Sequence, residues 1–392
     1  MSNANLAHAK QAKNDEFYTQ FNDIEAEMTA YYEYNHEVFR NKIILMPCDD
    51  PEWSNFVRFF ATNFKRYGIK ALISTSYANS GTNDKLTDAE KNSPIYDPAK
   101  HKTRGKLFVM TGDMNGDGKI DSDDVSFQKY LEGDGDFRSD EVTRLRDEAD
   151  IIVTNPPFSL FREFVHWIME GKKKFIIMGN INAITYKEIF PLIKDNKMWG
   201  GTCFNKTMEF RLVDDAPKWD HIEKVQTPAG IHSYKVGKVP AITWFTNLDH
   251  GIRHEKMILD TMANNLRFNK SLRKRLAKYG DPNHYPKYDN YDAIEIPVTK
   301  CIPSDYKGVM GVPITFLGQY NPEQFEIIGT DANNMVDELG IKPIGQKWVD
   351  AYKAHGGTGH ITANMHSLVF TAANGSGITT YKRILIRHKE VK

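Results

Sequence analysis

Apolar positions in the first half of the chain alternate between short β-rich runs and stretches with helical spacing. "NKIILMP", "IKALISTSY", "IIVT" and "KKFIIMGN" read as strands, and "SNFVRFFATNFKRY", "LFREFVHWIMEG" and "TYKEIFPLIKDN" as helices between or after them. Strand and helix in alternation predict a doubly wound parallel α/β sheet. Beyond about residue 200 the texture changes. "GGTCFNKTMEFRLV" and "KVPAITWFTNL" predict antiparallel strands, followed by a basic segment and then a Pro- and Tyr-rich region of short mixed elements. A domain change is expected near residue 250, with a catalytic domain over 13–250, a second region over 251–392, and a frayed polar lead-in before residue 13.

One junction carries chemistry. In "IIVTNPPFSLFREFVHWI" the run Ile151, Ile152, Val153, Thr154 predicts a buried parallel strand, and Leu160, Phe161, Phe164, Val165 and Ile168 recur at helical spacing. Pro156 and Pro157 end the strand and stiffen the loop, because neither donates a backbone hydrogen bond and each fixes φ. A stiff loop at the carboxyl end of a parallel strand is where open α/β sheets bind ligands. The alternative is a structural Pro-Pro turn in which Asn155 merely ends the strand. An Asn-Pro-Pro-aromatic loop suits methylation of an exocyclic amine, whose lone pair is delocalised into its ring. The Asn155 side-chain oxygen and the Pro156 carbonyl can accept both amine hydrogens and free the lone pair, which is electrostatic preorganisation without a strong base. Phe158 would stack on a flipped nucleotide.

Composition bounds the class. With 392 residues, 40% hydrophobic and 26% charged, the chain is long enough for two ordinary globular domains. No apolar run of membrane-spanning length and no leader pattern is seen, and Cys48, Cys203 and Cys301 offer neither a disulfide framework nor metal spacing. No membrane partner and a reducing cytoplasm are the expectations. The formal net charge of +0 hides segregation: "GDMNGDGKIDSDD" and "EGDGDFRSDE" are acidic, whereas Arg267, Lys270, Arg273, Lys274, Arg275 and Lys278 cluster within "RFNKSLRKRLAKYG". Those six would form one positive face if helical and meet a polyanion's phosphates. Tyr285, Tyr288 and Tyr291 nearby are expected to pack rather than stack.

"DEFYTQ", "ILMPCDDPEWSNF", "GDGDFRSDE", "VTNPPFSLFREFV", "ITWFTNLDHG" and "GVMGVPITFLGQYNPEQFEIIG", in that order, resemble the EcoRI-type adenine-specific DNA methyltransferases over roughly Asp15 to Gly329. The resemblance implies a Rossmann-like S-adenosylmethionine methyltransferase sheet with a C-terminal target-recognition region. It implies a cytoplasmic bacterial or phage-encoded enzyme that methylates the N6 amine of a flipped adenine in double-stranded DNA, beside a cognate restriction endonuclease acting on the same site. Asn155, Pro156, Pro157 and Phe158 correspond to the catalytic loop. Asp136 and Phe137 correspond to the position holding the cofactor's adenine, and Phe17, Tyr18 and Thr19 to the segment closing over its methionine part. Related loops occur in methyltransferases of ribosomal RNA and of protein glutamine, which remain alternatives, as does a calcium-dependent binding module on an inactive scaffold.

The first strand leads into Cys48, Asp49, Asp50 and Pro51 where most nucleotide-binding sheets place a glycine-rich turn. The usual acid after the second strand is also missing, since "ISTSY" offers only hydroxyls. Asp49 or Asp50 can hold cofactor, and either can equally cap the helix that follows. Separately, Asp113, Asn115, Asp117, Gly118, Lys119 (through its carbonyl), Ile120, Asp121 and Asp124 match the spacing of a calcium loop, with "VSFQKYLEG" as its following helix. The segment resembles half of a dockerin repeat, and predicts a structural calcium site inserted over 111–132. A solvated acidic loop is the alternative.

Overall fold

The structure, a computed structural model, describes residues 18–51, 54–78, 96–211, 220–227, 230–332, 335 and 338–389. The chain divides into two units, residues 1–181 with 199–251, and residues 182–198 with 252–392. The segment 182–198, read from the sequence as part of the first domain, thus belongs with the second unit.

The strands of the first unit are β1 (Tyr18–Thr19), β2 (Ile43–Met46), β3 (Ala71–Ser76), β4 (Lys106–Met110), β5 (Ser126–Tyr130), β6 (Ile151–Thr154), β7 (Lys174–Asn180), β8 (Trp199–Gly200), β9 (Glu209–Arg211), β10 (His221–Thr227), β11 (Gly230–Lys238) and β12 (Ile242–Thr246). Its principal helices are α1 (Phe21–Tyr34), α2 (Asn55–Thr62), α3 (Phe64–Tyr67), α4 (Asp140–Glu148) and α5 (Phe161–Glu170). An eight-stranded sheet runs β5-β4-β3-β2-β6-β7-β12-β8, and a four-stranded sheet runs β1-β9-β11-β10.

The expectation of a doubly wound parallel sheet is corrected to a mixed one. Only the central strands β3, β2, β6 and β7 are mutually parallel; β4 and β5 on one side, and β12 and β8 on the other, are antiparallel. The central strands are the four β-rich runs singled out by sequence, and β2, β3 and β6 are buried almost throughout because both faces are covered. α5 buries Phe161, Phe164, Val165, Trp167 and Ile168. Its first ring lies directly on β7 at Gly179, where an added Cβ would stand 2.3 Å from the Phe161 ring. Only a residue without a side chain lets α5, and the loop leading into it, approach the sheet so closely.

Three other elements differ from the sequence reading. "SFQKY" is strand β5, paired with β4, not a helix. "SNFVRFFATNFKRY" is two helices, because the Asn63 side-chain amide donates to the Phe59 carbonyl at 2.9 Å and ends α2 there. Of "TYKEIFPLIKDN" only α6 (Phe190–Lys194) is α-helical; Pro191 sits in its first turn, where a missing N–H is tolerated, and so fixes a late start.

The second unit contains α6, α7 (Met262–Phe268), α8 (Lys270–Ala277), a helix at Gln346–Ala354, and strands β13 (Ala293–Glu295), β14 (Val309–Pro313), β15 (Phe325–Thr330), β16 (Val369–Thr371), β17 (Gly377–Thr379) and β18 (Arg383–His388). Its main sheet runs β13-β14-β18-β15, and β16 pairs with β17. A buried ion pair spans that sheet: Arg383 donates to both oxygens of Glu295, at 2.7 Å through Nη2 and 2.9 Å through Nε, and the Tyr288 hydroxyl donates to the same carboxylate. Tyr285 and Tyr288 are buried and Tyr291 packs beside the same core, as expected of packing residues.

Removing one partner of a fully buried pair strands the other charge. Arg383→Met is expected to lower unfolding free energy by about 3–5 kcal/mol, and pairing it with Glu295→Gln to recover most of that. Urea denaturation followed by tryptophan fluorescence reads both; a loss below about 1 kcal/mol in the single variant would contradict the description.

Candidate active site

Four of the segments that carry the resemblance converge at the carboxyl edge of the central strands. β3, β2 and β6 are adjacent and parallel, so the loops after them emerge side by side. The loop after β2 contains Cys48, Asp49, Asp50 and Pro51; Cys48, Asp50 and Pro51 are half-buried. Asp49 is only 6% exposed. Its Oδ1 accepts from the Ser54 hydroxyl at 2.6 Å and its Oδ2 from the Thr154 hydroxyl at 2.6 Å. Its backbone N–H donates to the Thr75 carbonyl at 3.1 Å, and its carbonyl accepts from the Ser74 hydroxyl. Burial pushes the Asp49 carboxyl up to about 6, against the pull of the two hydroxyls.

The hydroxyls of β3, read from sequence as standing where a ligand-binding acid usually lies, therefore have an internal use. Ser74 holds the Asp49 carbonyl, and Thr75 donates to the Pro47 carbonyl at 2.9 Å. In place of glycine and bare backbone, side-chain hydroxyls shape the turn.

Ser54 caps α2, accepting from the N–H groups of Phe56 and Val57. The next residue, Asn55, donates through Nδ2 to the Thr19 carbonyl at 2.8 Å, and Thr19 Oγ1 donates to Met178 Sδ on β7. The amino-terminal segment is thereby anchored beside the same sheet edge: Tyr18 and Thr19 form β1, while Phe17 lies outside the described residues. Thr19, Ser54, Asn55 and Thr154 tie these segments together, positions the sequence leaves without a role or, for Thr19, with a different one. A small hydroxyl closing a strand and a Ser at a helix start are the signals that were available.

The catalytic-loop residues follow β6. Asn155 is half-buried with its Oδ1 withdrawn from solvent, Pro156 is buried and Pro157 half-buried. Phe158 opens a short 3-10 turn and packs partly against the first unit's core. The "GDGDF" segment reaches the edge beside β3: Ala78 donates to the Asp134 carbonyl at 2.7 Å, and Gly135, at φ +90°, lies where a Cβ would be 2.4 Å from the Ser76 carbonyl. Positive φ and that close approach both demand glycine. Asp136 is half-buried and gripped by Arg138, with contacts of 2.6–3.2 Å, and the guanidinium together with the Arg138 N–H holds its carboxyl below the usual range. Phe137 is 4% exposed; its ring meets Phe164 and Trp167 edge-on at 4.9 and 5.5 Å.

The calcium expectation is corrected. Asp113 accepts from the N–H groups of Gly116 and Gly118, and Asp124 from those of Met114, Asn115 and Asp121. Asn115, Asp117 and Asp121 cap the N–H groups of Asp117, Lys119 and Asp123. The acids serve the loop's own backbone, the segment after it is β5, and among the described residues no group of three or more His, Cys, Asp or Glu is arranged to hold a metal ion. A cavity of about 590 Å³ lies against this loop, lined by Thr62, Lys65, Arg66, Gly118, Lys119 and Ile120 among others. It adjoins the end of α2 opposite Ser54 and is not the site described above.

In the second unit Arg267 lies on α7, Lys270, Arg273, Lys274 and Arg275 on α8, and Lys278 just beyond it. All six are exposed, none is in an ion pair among the described residues, and Leu272 and Leu276 are the buried side of α8. The condition set from sequence, that the segment be helical, is met by two short helices, with Asn269 capping the second.

Among the described residues no helix is long and apolar enough to cross a membrane. Over residues 5–389 the chain matches the family described as adenine-specific methyltransferase EcoRI. It is 43% identical to the Type II methyltransferase M.EcoRI of Escherichia coli over 83% of this chain and 89% of that protein. It is 36% identical to the Type II methyltransferase M.MgeORF184P of Mycoplasma genitalium, over 83% of this chain and 86% of that protein. To the Type II methyltransferase M.MpnI of Mycoplasma pneumoniae it is 34% identical, over 83% and 85%. No solved structure matches it significantly. With the family model spanning nearly its whole length, and relatives 34–43% identical over 83% of it, the chain belongs to the EcoRI family of adenine-specific methyltransferases.

Proposed function

We propose that the chain methylates the N6 amine of an adenine flipped out of double-stranded DNA, with S-adenosylmethionine as donor. The observation that carries this reading is the junction at Thr154 and Asn155: an Asn-Pro-Pro-Phe loop leaves a buried parallel strand and is bonded, through Thr154, to the loop of the neighbouring strand. That arrangement supports a fixed acceptor beside a cofactor. Asn155 Oδ1 and the Pro156 carbonyl accept the amine hydrogens, and Phe158 stacks on the extruded base.

The residues at the sheet edge fit the cofactor's chemistry. Asp136, half-buried and ionised, is an acceptor for an adenine amino group, while Phe137, held by Phe164 and Trp167, borders that position. Asp50, half-buried, is the better of the two adjacent acids for ribose or amine contact, since Asp49 is buried between the Ser54 and Thr154 hydroxyls. Cys48, Pro51 and the segment Phe17, Tyr18 and Thr19 complete the surroundings. When bound, S-adenosylmethionine supplies an electrophilic methyl group on sulfur.

In this reading catalysis belongs to the first unit, and target recognition to the second unit, whose Arg267, Lys270, Arg273, Lys274, Arg275 and Lys278 contact phosphates. Their exposure, without internal ion pairs, supports that role. The Type II naming of the relatives supports a setting with a cognate endonuclease.

Incubation with methyl-labelled S-adenosylmethionine and duplex DNA, ribosomal RNA or protein tests the assignment; label is expected in adenine of DNA, and label confined to RNA or protein would refute it. Asn155→Ala is expected to lower turnover about 10²–10³-fold while cofactor binding survives, read by single-turnover kinetics alongside calorimetry. Arg273→Ala with Lys274→Ala is expected to weaken DNA binding at low salt and reduce the slope of log affinity against log salt by about 1.8; an unchanged slope would take these residues off the phosphates.

A further inference from the structure

We propose that Asp49 is a positioning residue for the catalytic loop and not a cofactor ligand, its carboxylate fixing Thr154, the last residue of the strand that delivers Asn155. This rests on the reading of Asn155 given above and assigns one of the two neighbouring acids a separate task.

The backbone ladder between β2 and β6 consists of Ile44 with Ile151 and Leu45 with Ile152. It stops short of the loops. Past that point the Thr154 hydroxyl bonded to Asp49 Oδ2 continues the linkage, while on its other side β6 remains paired with β7 as far as Thr154 opposite Ile177. Asn155 therefore starts from a residue fixed on both flanks, by backbone on one and by Asp49 on the other. Asp49 itself does not swing: its N–H, its carbonyl and both carboxylate oxygens are engaged, by Thr75, Ser74, Ser54 and Thr154.

The same carboxylate reaches further. Through Ser54 it fixes the start of α2, and the adjacent Asn55 holds the Thr19 carbonyl. The amino-terminal segment and the catalytic loop are thus referred to one buried group. A misplacement of about 1 Å at a reacting centre lowers rates on the order of 10²-fold, so a linkage of this kind acts on turnover and leaves ligand affinity alone. A carboxylate that touched cofactor would act the other way.

The experiment compares Asp49→Asn, Thr154→Val, Thr154→Ser and the double variant Asp49→Asn with Thr154→Val in the full-length protein. Binding of S-adenosylhomocysteine is measured by calorimetry, and methyl transfer to duplex DNA by single-turnover kinetics. Asp49→Asn and Thr154→Val are each expected to slow transfer roughly 10- to 100-fold, with affinity for S-adenosylhomocysteine within about threefold of wild type. The double variant should be no slower than the worse single one, since the two groups form one interaction. Thr154→Ser, which keeps the hydroxyl, should restore the rate. A tenfold or greater loss of S-adenosylhomocysteine affinity in Asp49→Asn with transfer little changed would make Asp49 a cofactor ligand and overturn the proposal. Wild-type speed in Thr154→Val would overturn it as well, and the Thr154 variants decide the matter even where Asp49→Asn fails to fold. Absence of transfer to DNA by the wild-type protein would instead defeat the functional reading, before any variant is made.

Discussion

At the carboxyl edge of three parallel strands a single buried carboxylate does what backbone pairing no longer can. Asp49 accepts a hydroxyl hydrogen bond of 2.6 Å on each oxygen, one from the start of the helix that follows β2 and one from the end of β6. Hydrogen bonds to an ionised group contribute roughly 1.5–3 kcal/mol each. Burial opposes them, and because the carboxyl still rises to about 6, desolvation is the larger effect on its protonation. It nevertheless remains mostly ionised at neutral pH, and both oxygens remain acceptors. The geometry of the candidate site depends on that balance: without it, the loops carrying Asn155 and Asp50 would be joined by little beyond the sheet's own register.

The same interaction accounts for a peculiarity of the chain. A glycine-rich turn lets a nucleotide approach bare backbone, whereas here the turn after β2 is dense with side-chain oxygens and closed from within by Ser74 and Thr75. The hydroxyls that stand where an acid is usual on β3 are consumed in shaping that turn. Under the proposed function, cofactor contact would fall to half-buried neighbours such as Asp50 and Asp136, the latter oriented by Arg138.

The central strands were legible because β2, β3, β6 and β7 are largely buried and each carries an apolar run, Ile43–Met46, Ala71–Ile73, Ile151–Val153 and Phe175–Met178. The catalytic loop was legible because two prolines leave few conformations for it. The edges were not. β5 shows its period of two only as Phe127 buried between exposed or half-exposed neighbours, and five residues of that kind, set after an acidic loop with ligand-like spacing, read as the helix such loops usually precede. Spacing alone cannot tell carboxylates that converge on a cation from carboxylates that cap their own chain. Nor does sequence report partners 105 residues apart: Thr154 looked like the polar end of a strand, and only its packing against Asp49 gives it a task.

Among the described residues β5 is the outermost strand of the eight-stranded sheet, and an outermost strand has a ladder partner on one side only. Gln128 and Lys129 lie exposed along it, and Lys129 meets Glu141 at 3.3 Å. Immediately before it in the chain comes the acidic loop, whose Asp113, Asp117 and Asp121 accept from the loop's own N–H groups. Charged residues beside an outermost strand are among the devices by which sheet edges avoid pairing with a second chain.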